Sequence, residues 1–260
     1  MEVVIVADAP AAGVVGADIV SALLTRTPAA VLGLATGSSP LPVYGELIRR
    51  SGRGAISFAA ATAFLLDEYV GLPPSHPASY RWFIDHELAE PVDLPSERVN
   101  GPDGCAADVS AECARYERAI VEAGGVDVQL LGIGADGHIG FNEPGSSLGS
   151  RTRIKTLTEQ TRRDNARFFD GPDDVPCHVM TQGVGTILDA RHLVLVATGA
   201  AKAEPVAKAV EGPVTAMVPA SALQLHPHVT VVVDEAAAAD LRLADYYRET
   251  FRSKPPWQQL

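Results

Sequence analysis

Six short apolar runs, each leading into a turn and then a helical stretch, constrain this chain more than any other feature. They are VVIV (residues 3–6), VLGLAT (31–36), TAFLL (62–66), VQLLGIG (128–134), LVLVAT (193–198) and VTVVVD (229–234). Each is apolar on both faces, the pattern of a strand buried inside a parallel sheet. Helical stretches are predicted between them at 17–25, 42–50, 106–123 and 201–210. Strand and helix in alternation imply right-handed βαβ crossovers. The predicted fold class is therefore α/β: an open, doubly wound, mostly parallel sheet with helices on both faces, Rossmann-like. No Pro/Ser-rich linker or long internal repeat divides the 260 residues, so residues 1–260 read as a single domain, with 242–260 a less defined C-terminal tail.

Charge narrows the function. The chain has 21 Lys and Arg against 32 Asp and Glu, a formal charge of −11. A surface that acidic lacks the basic footprint needed to bind nucleic acid or an anionic membrane. Small anionic substrates respond to a few local charges and stay open. The cysteines at 105, 113 and 177 form no C-x-x-C pair, so neither a disulfide framework nor a zinc ribbon is expected. The MEVVIVADAP start lacks a signal peptide's basic region, and no apolar run approaches the roughly 18 residues of a membrane span. A cytoplasmic protein is expected.

In open α/β sheets ligands bind beyond the carboxyl ends of the strands, where the strand order switches direction. Four predicted strands run there into polar, Gly-bearing loops. In the first, Thr36-Gly37-Ser38-Ser39-Pro40 precedes a helix. Its hydroxyls and free N–H groups suit an anion cradle, or else a simple N-cap and turn. The second, LLDEYVG, places Asp67 and Glu68 at a buried strand's end. A carboxylate partly removed from water suits a base that removes a carbon-bound proton; a helix cap or an ion pair is the plainer alternative. If the strand continues, the two acids point to opposite sides and one of them faces the site. In the third, GIGADGHIGFNEPG, Asp136, His138, Asn142 and Glu143 fall within eight residues. A histidine flanked by carboxylates suits proton transfer near neutral pH. Asp136, His138 and Glu143 also form an oxygen–nitrogen ligand set. With no thiolate, second nearby histidine or H-E-x-x-H spacing, no metal is expected. The fourth, VATGAAK, carries Lys202. Six bases against two acids between 151 and 167 reverse the chain's charge locally, and Arg151, Arg153 and Lys155 alternate as one strand face, a candidate phosphate clamp.

These residues together resemble the glucosamine-6-phosphate deaminases of the glucosamine/galactosamine-6-phosphate isomerase family. The resemblance is carried by LGLATGSSP, FLLDEYVGLPPSHPASY, GIGADGHIGFNEPGSSLGSRTRIKTLT, DNARFF, QGVGTILDA and LQLHP, and runs to about residue 241. It implies conversion of glucosamine 6-phosphate and water to fructose 6-phosphate and ammonia, a step of amino-sugar catabolism. Carried over by position, Asp67 would move a proton between C2 and C1. His138, with Asp136 and Glu143, would open the sugar ring. Thr36, Gly37, Ser38 and Ser39 with Arg167 and Lys202 would hold the phosphate. No cofactor or metal is implied. Some family members are hexamers activated by N-acetylglucosamine 6-phosphate, and the matching positions are Ser146, Ser147, Arg153 and Lys155. Three rivals remain at this stage: a deaminase for an epimer such as galactosamine 6-phosphate, a hydrolase of the 6-phosphogluconolactonase type, and a sugar-phosphate sensor without activity. A hydrolase or a sensor has no need of Asp67.

Overall fold

The computed structural model describes residues 1–260 apart from 167, 168, 170, 172, 256, 257, 259 and 260. In chain order the strands are β1 (Glu2–Val6), β2 (Val31–Leu34), β3 (Thr62–Leu65), β4 (Asp67–Tyr69), β5 (Val99–Asn100), β6 (Val128–Leu131), β7 (Arg153–Thr156), β8 (His178–Thr181), β9 (His192–Ala197) and β10 (Val229–Asp234). The α-helices are α1 (Ala9–Arg26), α2 (Leu41–Ser51), α3 (Tyr80–Ile84), α4 (Val109–Glu122), α5 (Glu159–Asn165), α6 (Val184–Leu188), α7 (Ala203–Glu211) and α8 (Ala244–Arg252).

Seven strands form a parallel sheet in the order β1-β10-β9-β6-β2-β3-β5. The fold is thus the predicted α/β arrangement, and all six apolar runs lie in this sheet. Their two-sided hydrophobicity follows from helices on both faces. Leu32, Leu34, Val194 and Val232 pack under α1 and α2, against Val20, Leu24 and Leu47. Val31, Leu131, Leu193 and Val231 face the other way, against Tyr116 of α4, Ile187 of α6 and Val206 of α7. Each fully buried side chain of this size contributes about 1.5–3 kcal/mol relative to exposure.

The helix predicted at 17–25 starts eight residues earlier. Asp8 caps α1 by accepting a hydrogen bond from the Ala11 N–H at 2.9 Å, and Pro10 sits in the first turn, where it costs no hydrogen bond. The APAAG stretch carries no apolar period, which hid this start. As a whole helix, α1 has 18 residues and a mean hydropathy of 1.2, long and apolar enough to cross a membrane. Instead Ala12, Ile19, Val20 and Leu24 pack into the core.

A second, antiparallel sheet, β4-β8-β7, was not foreseen as a unit. Thr181 of β8 is in register with Asp67 on one side and Arg153 on the other. Strands of three or four mixed residues carry little signal of their own; pairing makes them. The C-terminal stretch also gains structure: α8 lies against β1, and Lys254 Nζ donates to both oxygens of Glu2 at 2.8 and 2.6 Å.

Candidate active site

The strand order changes direction between β2 and β6, since β3 and β5 lie beyond β2 while β9 and β10 lie beyond β6. Beyond the carboxyl ends at that point is a cavity of about 300 Å³. All four polar loops singled out from the sequence contribute to it: Thr36 to Ser39, Asp67, His138 and Lys202 are in its lining.

Asp67 is 4% exposed and borders the cavity. Among the described residues no hydrogen bond reaches its carboxylate. Burial, and secondarily the charge of Glu68, pushes the Asp67 carboxyl well above the ordinary carboxylate range. Its nearest loop passes close: a Cβ on Gly140 would stand 3.5 Å from Asp67 Oδ2 and 2.9 Å from Thr181 Oγ1, and Gly140 has φ +55°. That position takes glycine for both reasons.

His138 also lines the cavity, on the loop after β6. Its Nδ1 lies 2.7 Å from Asp136 Oδ1, and its backbone N–H donates to the same oxygen at 3.1 Å. The Nδ1 contact is short but off the axis of a hydrogen bond. Partial burial works against the Asp136 charge, but its contacts with His138 outweigh this and hold its carboxyl below the ordinary value. The ring lies over Gly134, where a Cβ would overlap three of its atoms.

The first loop is not a serine-capped turn. Pro40 is the N-cap residue of α2 and supplies no side-chain bond, so Ser38 and Ser39 are not spent on capping. The buried Tyr44 hydroxyl donates to Ala35 O at 2.7 Å and ties the loop's start to α2. Lys202 Nζ donates to Ile133 O at 2.6 Å, which places the ammonium between the loops after β6 and β9. Arg167, expected in the phosphate pocket, lies outside the described residues.

Other expected residues stand elsewhere. Glu143 is buried and accepts a hydrogen bond from Thr161 Oγ1 of α5; it does not line the cavity. Arg151, Arg153 and Lys155 form no phosphate clamp there, contrary to their alternating pattern. Arg151 precedes β7 and pairs with Glu117 at 2.8 Å and Asp189 at 2.5 Å. Arg153 donates to Asn142 Oδ1 at 2.9 Å. Lys155 is half-buried on β7. Of the other candidate activator positions, Ser146 is buried, while Ser147 Oγ accepts from the Gly149 N–H. Among the described residues no group of three or more His, Cys, Asp or Glu is placed to hold a metal ion.

Sequence reasoning missed the aromatic wall. Tyr69, Tyr80, Phe83 and Phe141 line the cavity beside Thr161 and Asn165 of α5. The Tyr80 hydroxyl donates to that of Tyr69 at 3.2 Å, and its ring stacks on Phe141, 6.0 Å away at 16°. Aromatics embedded in otherwise polar turn motifs were the available signal.

The family profile described as "Glucosamine-6-phosphate isomerases/6-phosphogluconolactonase" matches residues 9–232. The chain is 64% identical to the glucosamine-6-phosphate deaminase of Arthrobacter sp. (strain FB24), over the full length of both. It is 62% identical to those of Mycolicibacterium smegmatis and Streptomyces coelicolor, over 99% of each chain. Among solved structures, a monomeric glucosamine-6-phosphate deaminase superposes with a TM-score of 0.90 at 43% identity, covering 92% of this chain and all of that one. The 6-phosphogluconolactonase of Trypanosoma brucei, 21% identical with a TM-score of 0.72 over 92% of this chain and 98% of its own, shares the fold. The chain therefore belongs to the glucosamine-6-phosphate isomerase/6-phosphogluconolactonase family, and within it to the glucosamine-6-phosphate deaminases.

Proposed function

We propose that this protein converts glucosamine 6-phosphate and water to fructose 6-phosphate and ammonia by acid–base catalysis in the cavity described. The observation that carries the reading is the buried carboxylate of Asp67, unpartnered among the described residues, sharing one small cavity with His138. A lactone hydrolase has no use for such a base.

The residues divide the work. The Thr36 to Ser39 loop with Lys202, joined by Arg167, takes the phosphate, and this remote binding orients the reacting end. His138, held by Asp136, passes a proton between the C1 hydroxyl and the ring oxygen, which opens the ring to the aldehyde. The aldehyde acidifies the hydrogen on C2, and Asp67 removes it. The bonding electrons move to the C1 oxygen and leave an enolamine-type intermediate. Return of the proton to C1 places a C=N bond at C2. Water adds there and ammonia leaves, giving the ketone. Glu143, bonded to α5 through Thr161, supports the loop that carries His138.

The direct test incubates the protein with glucosamine 6-phosphate and measures ammonia and fructose 6-phosphate. Equimolar appearance of both is expected. No ammonia alongside rapid hydrolysis of a sugar-phosphate lactone would overturn the reading. Faster ammonia release from galactosamine 6-phosphate would replace the substrate.

Gly134→Ala tests the ring-opening role. The added Cβ overlaps the imidazole of His138 and forces it from its place. Activity on the cyclic substrate is expected to fall about 100-fold, the scale of one misplaced acid–base group. An open-chain analogue should lose much less. Equal losses on both would remove His138 from that step.

A further inference from the structure

The proposed chemistry leaves unused the second acid of the Asp67–Glu68 pair. Glu68 is 3% exposed, and successive residues of β4 point to opposite sides, so its carboxylate turns from the cavity toward α3. It accepts four hydrogen bonds. One oxygen takes the N–H groups of Tyr69 at 2.8 Å and Tyr80 at 3.1 Å; the other takes Ser79 Oγ at 2.8 Å and the Arg81 N–H at 3.0 Å. Three of those donors belong to the entry of α3, which already has an N-cap. Ser79 Oγ accepts from the N–H groups of Arg81 and Trp82 at 3.1 and 3.4 Å. Burial pushes the Glu68 carboxyl above its ordinary range against the pull of these four bonds, a desolvation cost that helix formation alone does not explain.

What those donors share is the cavity. Pro77, Ala78, Ser79, Tyr80 and Phe83 form its wall next to Asp67. Tyr80 packs on Tyr69, 4.9 Å between ring centres, and on Phe141 of the loop that bears His138. We propose that Glu68 is a positioning residue: it clamps this wall onto the strand that carries Asp67, and so keeps the base dry and aimed into the cavity. This rests on Asp67 being the base of the proposed reaction. Burial, with the Glu68 charge second, already sets Asp67 above its ordinary range, and the clamp maintains both. The other titratable groups near Asp67 are the phenols of Tyr69, Tyr80 and Tyr116, which burial pushes further above neutrality. His138, in contact with Asp136, and Lys202 line the same cavity. The Arg81 guanidinium is engaged with Asp85 and Ser96.

Glu68→Gln keeps the shape. Its carbonyl can accept from Tyr69 and Tyr80, but its amide faces the Arg81 N–H donor to donor, and Ser79 Oγ already accepts from Arg81 and Trp82, so that half of the clamp is lost. Expected is a fall in kcat of about 10-fold, with KM for glucosamine 6-phosphate within about 3-fold of wild type, because the phosphate is held on another wall. The acid limb of kcat/KM should move to lower pH, since Asp67 loses a neighbouring charge and gains water. Glu68→Asp keeps the charge but falls a methylene short. It should lose kcat with a smaller displacement of the acid limb, and it carries the test if the Gln variant does not fold. Wild-type kcat and an unmoved acid limb in both variants, whatever their melting temperatures, would overturn the clamp and leave the reading of the site intact. Absence of turnover in the wild-type protein would overturn the reading itself.

Discussion

Asp67→Asn is expected to lower kcat for deamination by about 10²–10⁴-fold, the range of a general base, while raising thermal stability. The amide matches the carboxylate in shape, so the cavity and the phosphate loop persist, but it cannot take the C2 proton. Solvent-hydrogen exchange at that carbon should stop while inorganic phosphate still protects the protein against unfolding. The stability change follows from the sign of the shift. The Asp67 carboxyl titrates above its ordinary value in the folded protein. Above the unfolded pKa, near 4, ionisation therefore favours the unfolded chain, and the asparagine variant escapes that penalty. Its advantage should be present at pH 7 and vanish below about pH 4, where the acid is neutral in both states. Exchange at the wild-type rate in this variant would mean that the base is another residue. A variant less stable than wild type at pH 7 would mean that Asp67 is paired rather than stranded.

That the four polar loops meet at one cavity was legible because it follows from backbone logic. A strand buried on both faces must end in a loop beyond the sheet, and four such loops held every catalytic and phosphate-binding residue implied by the family resemblance save Arg167. The split between Asp67 and Glu68 followed from the two-residue period of a strand, and the structure turns one to the cavity and the other to α3. The wall was a different matter. Pro77, Tyr80 and Phe83 lie in a turn and a five-residue helix, where no periodicity exists to say which side faces a cavity. They are fixed by a carboxylate from another element, and sequence carries no such long-range partner. The same limit explains the failed phosphate clamp. Arg151, Arg153 and Lys155 alternate as a strand should, but the sign of a charge does not say who answers it. Glu117, over thirty residues earlier on α4, accepts from Arg151 and from Thr152 and Thr186, so that part of the basic run serves packing. A net charge of −11 left room for cations near a small anion; only tertiary contacts separate those that reach the cavity from those already paired.

A loss of stability on acidification is expected from the opposite end of the sheet. His192 opens β9, is 5% exposed, and stacks on His228 with ring centres 3.6 Å apart and planes 10° from parallel. Its Nε2 bonds to Thr230 Oγ1 at 2.9 Å. Burial, with the nearby His228, His226 and Lys254, pushes the His192 imidazole down to about 3. Burial likewise lowers His228, with Glu2 partly opposing. A histidine held neutral in the folded state gives its full stability above the unfolded pKa near 6.5 and loses it as the pH falls below that value, because only the unfolded chain takes up the proton. Linkage from His192 alone then removes about 2 kcal/mol between pH 7.5 and pH 5, with the loss continuing toward its folded pKa. Denaturant unfolding at the two pH values should show this contribution in the wild type, combined with those of the other titrating groups. In His192→Gln, whose amide can keep the bond to Thr230 but does not titrate, the dependence should shrink to what His228 and the carboxylates supply. An undiminished difference between pH 7.5 and pH 5 in the variant would place the acid sensitivity outside His192.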